Sequence, residues 1–313
     1  MNWKLKAFIQ NCVALLPSSI SYSTYYFIQR HFGNLKEVNP TRSFETSICV
    51  WNLIKKQGID PLNKAFFEIG TGRIAAFPLA IYLMGGGKTV TIDLNPYLKG
   101  ELVEAMLDYV FSHEQEIITL FGPALDKQRF ERLREYYSNV SFLVRTFLEL
   151  CNIKYIAPGN AAETGLKAES VDFHVSITVF EHIPANVLID ILKEGNRIVK
   201  KGGLFIHKID YSDHFSHSDK SISSINFLKY SDEKWGKLAG NRFMYMNRLR
   251  HDDYLQLFKS ADQDILLEQG SRDIQAVELL NLGKITLNNR FLNKTKDVLS
   301  IIGAWIISRK QVK

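Results

Sequence analysis

Cysteine is scarce in this chain. Among 313 residues there are three, Cys12, Cys49 and Cys151, far apart and forming no C-x-x-C pair. An odd, scattered set excludes a disulfide framework and the zinc modules that rely on paired thiolates, and it points to a reducing compartment, the cytoplasm. Long apolar runs are also missing. Cys12-Val13-Ala14-Leu15-Leu16 follows Lys4 and Lys6 much as in a signal peptide, but Gln10 and Asn11 interrupt the stretch. It is too short to cross a bilayer, and no export signal is expected. Internal repeats, low-complexity segments and arginine-rich tracts are absent. The net charge of +6 therefore reads as a mildly basic globular protein, and no nucleic-acid partner is expected. Acid is absent from residues 1–36, which carry Lys4, Lys6, Arg30 and Lys36 among Trp3, Phe8, Tyr22, Tyr25, Tyr26 and Phe27. Such a stretch reads either as a helical lid packed on the core or as a segment lying on a membrane surface.

What the chain does have is an ordinary globular composition, 46% hydrophobic and 23% charged, enough for one large core with attachments. Its most informative segment is Phe66-Phe67-Glu68-Ile69-Gly70-Thr71-Gly72, with Val90-Thr91-Ile92-Asp93 about twenty residues on. An apolar run meets a glycine turn, and a second apolar run ends in an acid that can hold a ribose. This suits an adenosyl cofactor. Gly70-x-Gly72-x-x-Ala75 also fits a dinucleotide fingerprint. Glu68, two residues before the turn, would repel a diphosphate and attract the ammonium and sulfonium of S-adenosylmethionine (SAM).

Along the chain, residues 1–60 read as mainly helical, with Phe44 to Lys56 at helical spacing. Residues 65–69 and 89–93 are the first two strands, with a helix over 74–84 between them, ended by Gly85-Gly86-Gly87. The stretch 96–152 reads as two or three surface helices. Strands follow at 153–157, 171–177 and 204–209, with a helix over 185–200 and a turn at Gly202-Gly203 before the last. Alternation of this kind predicts an α/β fold with a mainly parallel sheet. Residues 211–260 break the rhythm and read as a polar, aromatic lid, and 265–268 and 301–308 are candidate closing strands. The expected organisation is a helical extension over 1–58, a Rossmann-like core over 59–210 with an insertion at about 100–150, a lid over 211–260, and sheet-completing strands in 261–313.

Taken in order, the motifs resemble the class I SAM-dependent methyltransferase family. They are Phe67-Glu68-Ile69-Gly70-Thr71-Gly72, Thr91-Ile92-Asp93, Gly159-Asn160-Ala161, Ser170-Val171-Asp172-Phe173, Val179-Phe180-Glu181-His182-Ile183 and Val199-Lys200-Lys201-Gly202-Gly203. The resemblance spans about residues 60–210. The flanks, residues 17–32 and Asn241-Arg242-Phe243-x-Tyr245-x-Asn247-Arg248-Leu249-Arg250, resemble bacterial members of unassigned substrate. The family implies a Rossmann-like class I methyltransferase fold with helices on both faces of the sheet and a closing antiparallel strand, and SAM as cofactor. It implies a cofactor set of Glu68, Gly70, Thr71, Gly72, Asp93, Leu94, Asn95, Asn160, Ala161 and Ser176. Asp93 would accept from the ribose hydroxyls, Leu94 and Asn95 would flank the adenine, Asn160 would face its amino group, and Ser176, just beyond the fourth strand, would face the methyl. The family's usual third glycine is Ile74 here.

Methyl transfer to a hydroxyl needs a base, whereas an amine need only be unprotonated. Candidate bases are His182, His207, Asp210, Asp213 and His214. His207 alternates with Phe205 and Ile209 on one strand face and reads as a core histidine. His182 reads either as a site residue or as a helix-orienting one. The catalytic candidates are His214, His182 and Asp210. His214 and His217 with Asp210 and Asp213 bunch on one loop, which is no metal-site pattern, so no metal is expected. Ser176-Ile177-Thr178-Val179 stands where amide and base N-methyltransferases carry Asn-Pro-Pro-aromatic, so those acceptors are not expected. The reading is methyl transfer to a small-molecule, glycan or lipid-linked acceptor, at oxygen before nitrogen. The alternatives are an NAD(P)-dependent oxidoreductase and a non-catalytic SAM-binding protein. The expected location is cytoplasmic, with residues 1–36 as the candidate for peripheral membrane contact.

Overall fold

The computed structural model describes residues 1–33, 35–139 and 141–311. In chain order the elements are α1 (Trp3–Ala14), α2 (Ser18–Phe32), α3 (Thr41–Lys56), β1 (Phe66–Ile69), α4 (Ala76–Leu83), β2 (Thr89–Ile92), α5 (Gly100–Ser112), α6 (Glu114–Phe121), α7 (Lys127–Asn139), α8 (Val144–Leu150), β3 (Ile153–Ile156), β4 (Val171–Ile177) and α9 (Ala185–Ile198). They continue with β5 (Val199–Asp210), α10 (Asp232–Ala239), α11 (His251–Ser260), β6 (Gln263–Arg272), α12 (Ile274–Asn281), α13 (Lys296–Ser300) and β7 (Ile301–Lys310). The strands form one seven-stranded, mostly parallel sheet in the order β3-β2-β1-β4-β5-β7-β6. β1 pairs in parallel with both β2 and β4, which places Glu68 opposite Thr91 on one side and Val175 on the other.

The chain divides into two compact units. One comprises Glu37–Ile177, Ile191–Ile206 and the chain from Arg309. Its core is stacked aromatically: Trp51 of α3 lies parallel to Phe66 of β1, and Phe66 meets Phe173 of β4 at 4.8 Å. Every residue of α4 is buried. Pro78 is tolerated there because it sits in the first turn, where no N–H has a helical partner. The second unit comprises Met1–Lys36, Thr178–Asp190 and His207–Ser308. Its core gathers Trp3 of α1 with Phe215, Phe227, Trp235, Phe291 and Leu299.

Three sequence expectations change. The stretch 96–152 forms four α-helices, and they are not surface additions: α5 buries Leu102, Val103, Met106, Leu107 and Val110, and α6 buries Ile117 and Phe121. The charges of α7 hide its buried pair, Phe130 and Leu133, at i, i+3. The fifth strand begins at Val199 instead of Leu204, and its glycines are internal. Gly202 takes φ +77°, and a side chain on Gly203 would come within 2.4 Å of the Asp172 carbonyl. Residues 211–260 are polar in sequence, but their aromatic residues turn inward to build the second unit's core. Among the described residues no helix is long and apolar enough to cross a membrane.

Candidate functional site

The first unit contains the glycine turn. Gly70 and Gly72 take φ of +87° and +68°, values that a side chain disfavours. Gly70 donates its N–H to the Ile92 carbonyl at 2.9 Å, and Gly72 donates to Asp93 Oδ2 at 2.9 Å. The turn is thus fastened to the end of β2 by main chain and carboxylate together. A Cβ built on Gly72 meets no atom within 4 Å, so that side of the turn is open. Asp93 N–H donates to Ile156 O and Asp93 O accepts from Gly159 N–H at 2.8 Å. Leu94, next in the chain, is 73% exposed. Asn95 Nδ2 donates to Tyr97 Oη at 3.1 Å, and the Arg73 guanidinium lies over the Tyr97 ring.

Glu68 is almost fully buried. Thr91 Oγ1 donates to its Oε2 at 2.6 Å, and the Thr71 hydroxyl is 2.5 Å from Thr91 Oγ1. Burial, with a smaller push from Asp93, raises the Glu68 carboxyl to about 8 against the pull of Thr91. Burial likewise raises Asp93 to about 6, opposed by Gly72, Thr71 and Arg73. The standing negative charge expected at Glu68 therefore becomes a carboxyl that is largely protonated at neutral pH. The Thr71 hydroxyl is turned to Thr91, inside the fold. Asn160 Oδ1 already accepts from the Ala162 N–H at 2.9 Å, so one lone pair remains for a ligand. Ala161 is buried beside it. Ser176 lies within β4, opposite Ile69, not beyond the strand, and it is fully buried.

Thr91, Arg73 and Tyr97 are the residues that sequence reasoning missed. The register of β1 on β2 could have revealed Thr91, because the two strands stand level at their glycine and acid ends and so set it opposite Glu68.

The second unit contains the catalytic candidates, and His182, His214 and Asp210 do come together. The His182 and His214 rings are 5.0 Å apart, and His214 Nε2 is 3.4 Å from Asp210 Oδ2. His217 Nε2 is 3.7 Å from the same oxygen and 2.9 Å from Ser212 Oγ. Burial pushes Asp210 up, but His214 and Ser212 outweigh it and hold the carboxyl at about 2. His182 Nδ1 lies 2.8 Å from the Tyr245 carbonyl. A carbonyl only accepts, so Nδ1 carries the proton and Nε2 keeps its lone pair. Asp213 accepts from Asn226 and the Phe215 N–H and is committed to the core. His207 is fully buried between Phe180 and Phe258, as a core histidine.

The 241–250 segment, which came from sequence without chemistry, clamps this cluster. Asn247 donates its N–H to Glu181 O and its amide Nδ2 to Phe180 O and Ile183 O at 2.9 and 2.8 Å. Tyr245 fixes His182. Arg248 donates to Phe227 O and Tyr230 O, and Arg250 to Tyr211 O and Leu299 O.

Residues 122–207 match the model of a family described as a methyltransferase domain. With the fold, this match identifies a methyltransferase domain within the chain. The match takes in β3, β4, Glu181-His182 and most of β5. The strand order, with β7 between β5 and β6, is that of the class I methyltransferase fold and departs from the 3-2-1-4-5-6 order of dinucleotide-binding sheets. No curated protein matches. Among solved structures, the chain is similar to the PH0226 protein of Pyrococcus horikoshii, with 13% identity, 92% of this chain and 99% of that one covered, and a TM-score of 0.49. It is also similar to a SAM-dependent methyltransferase of Methanosarcina mazei (14%, 83% and 98%, 0.45). A third is geranyl diphosphate C-methyltransferase of Streptomyces coelicolor (10%, 85% and 79%, 0.47).

SAM is the cofactor that a methyltransferase domain of this fold implies, and the turn fits it. The open face of Gly72 leaves room for a ligand against the backbone, Asp93 offers a carboxylate, exposed Leu94 offers an apolar face, and Glu68 offers an anion that a cation would unmask.

Proposed function

We propose that this methyltransferase acts on an oxygen of a small-molecule, glycan or lipid-linked acceptor presented at a membrane surface. SAM supplies a methyl group already activated on a sulfonium, so the protein's work is positioning, exclusion of water and handling of the acceptor's proton. Asp93 would receive the ribose hydroxyls, Glu68, Gly70 and Gly72 the methionine end, Leu94 and Asn95 the adenine flank, and Asn160 the adenine amino group. His214, oriented by Asp210, is the acid–base residue, with His182 beside it.

The observation that carries the oxygen reading is the grouping of His182, Asp210 and His214, with His182 on a different loop from the other two, yet within contact in the second unit. An amine acceptor would not call for such a set, because it needs only to lose its ammonium proton beforehand. Incubation with radiolabelled SAM and host extract, followed by linkage analysis of the product, tests it. Label on an ether or ester oxygen supports the reading, and label on nitrogen or carbon refutes it.

The membrane part rests on α1 and α2. Nine large hydrophobic residues are exposed between Met1 and Phe32, among them Leu5, Phe8, Leu15, Ile20, Phe27 and Phe32, against seven among the other described residues. No acid lies among residues 1–36. α1 buries Trp3, Ala7, Gln10 and Val13 on the second unit's core and keeps Leu5, Phe8 and Ile9 outward. An apolar face with basic residues and no acid suits an anionic bilayer surface.

A further inference from the structure

A buried carboxyl group without a partner demands an explanation. Glu181 is 2% exposed, and neither of its side-chain oxygens has a hydrogen-bond partner. Leaving such a group unpaired is costly, and native proteins resolve the cost with a hydrogen bond or an ion. Two imidazoles stand beside Glu181. One donor atom each from Glu181, His182 and His214 lie within 4.8 Å of one another.

We infer that Glu181, His182 and His214 hold one divalent transition-metal ion. Two ligands about 2.1 Å from a common ion stand at most roughly 4.2 Å apart, so the set closes by a small side-chain shift. Two histidines and one carboxylate select zinc and its first-row neighbours over magnesium or calcium, which want oxygen alone.

The surroundings already have the form that such a site needs. His182 Nδ1 is spent on the Tyr245 carbonyl, the arrangement that fixes a ligating histidine's tautomer and aims the other nitrogen. His214 Nε2 is buried without a hydrogen-bond partner, with Asp210 Oδ2 3.4 Å away. Asn247 grips the Glu181–His182 turn from three sides, through Glu181 O, Phe180 O and Ile183 O. Two of the ligands therefore come from the turn after β4 and one, His214, from the loop after β5, instead of all from the Asp210–His217 loop that the sequence pattern bunches together.

Three protein ligands leave a coordination position open, the mark of a site that takes a substrate oxygen. Resting on the oxygen-acceptor reading above, the occupant of that position is a hydroxyl of the acceptor. With the ion bound, His214 acts as ligand, and holding the acceptor oxygen passes from a lone imidazole to the metal.

The test uses the full chain, stripped with a chelator and desalted, then titrated with Co2+ alone and followed by visible absorption. One Co2+ per chain, with bands of a nitrogen- and oxygen-ligated ion that Zn2+ displaces, is the expected result. Glu181→Gln and His182→Gln should each weaken Co2+ binding at least tenfold, and His217→Gln should not. Each variant is titrated with SAM in the same preparation. Retained SAM binding certifies the fold, and if one variant fails to fold, His214→Gln stands in for it. Absence of Co2+ bands in the wild-type chain, or equal binding by wild type and the folded ligand variants, overturns the inference. Metal binding without SAM binding would instead sink the cofactor reading and leave this one standing.

Discussion

The carboxylate of Asp93 accepts the backbone N–H of Gly72 at 2.9 Å. One side chain at the end of β2 thus holds the turn that follows β1 and is also the group proposed to receive a ribose. The two tasks separate in mutants. Asp93→Ala should weaken SAM binding by about 10- to 100-fold, the worth of one or two hydrogen bonds to a charged acceptor, and also lower the melting temperature. Asp93→Asn, whose amide oxygen can keep the Gly72 bond, should retain most stability while still losing affinity. Calorimetric titration and a thermal scan on each variant check both.

The buried Glu68 carboxyl gives a pH dependence with a definite sign. Its value in the folded protein, about 8, lies above its ordinary 4.5. Folding therefore favours the protonated form, and that contribution is whole below the ordinary value and fades as pH rises toward 8. The unliganded protein should lose several degrees of melting temperature between pH 5 and pH 8. Glu68→Gln, which cannot ionise, should show a flatter curve.

Binding of SAM should reverse the same balance. A cation beside Glu68 favours the carboxylate, so a proton leaves as the ligand arrives. Titrations near pH 7 in buffers of different ionisation heat should report net proton release, and Glu68→Gln should reduce it.

Arg250 is fully buried and donates to the carbonyls of Tyr211, Leu299 and Ile301. Arg250→Ala would leave three carbonyls unsatisfied around a cavity. A loss of about 3 kcal/mol or more is expected, read from denaturant unfolding. Arg242→Ala, on an exposed side chain that bonds Ser18 and Ala14, should cost under about 1 kcal/mol.

The α1–α2 face should bring the chain to anionic vesicles in flotation, with salt weakening the association. Leu5→Glu combined with Phe8→Glu, both outward on α1, should leave the protein folded and abolish flotation. Equal flotation on neutral and anionic vesicles would contradict the electrostatic part. Recovery as a salt-insensitive dimer with no vesicle binding would assign the face to a second copy.

What the sequence made legible was local. Glycines with positive φ, an acid at a strand end and apolar runs of four or five residues are set by neighbours within a few positions, so β1, β2, β4 and the turn could be read directly. The β5 start was misread because Gly202-Gly203 looks like a turn, and only the close approach to Asp172 makes it a kink within a strand. The histidine cluster was legible as residue types but not as a constellation. Its order depends on Tyr245 and Asn247, more than sixty residues from the turn they hold. Charge at Glu68 was misjudged for the same reason: burial, a property of the whole fold, sets its protonation.

The most direct measurement is a paired titration of the chelator-stripped wild-type chain with SAM and, separately, with a nicotinamide dinucleotide. The glycine turn with Asp93 and Glu68 is predicted to bind SAM at one site per chain, to raise the melting temperature with it, and to ignore the dinucleotide. Binding of the dinucleotide with no heat or thermal shift from SAM would contradict the account.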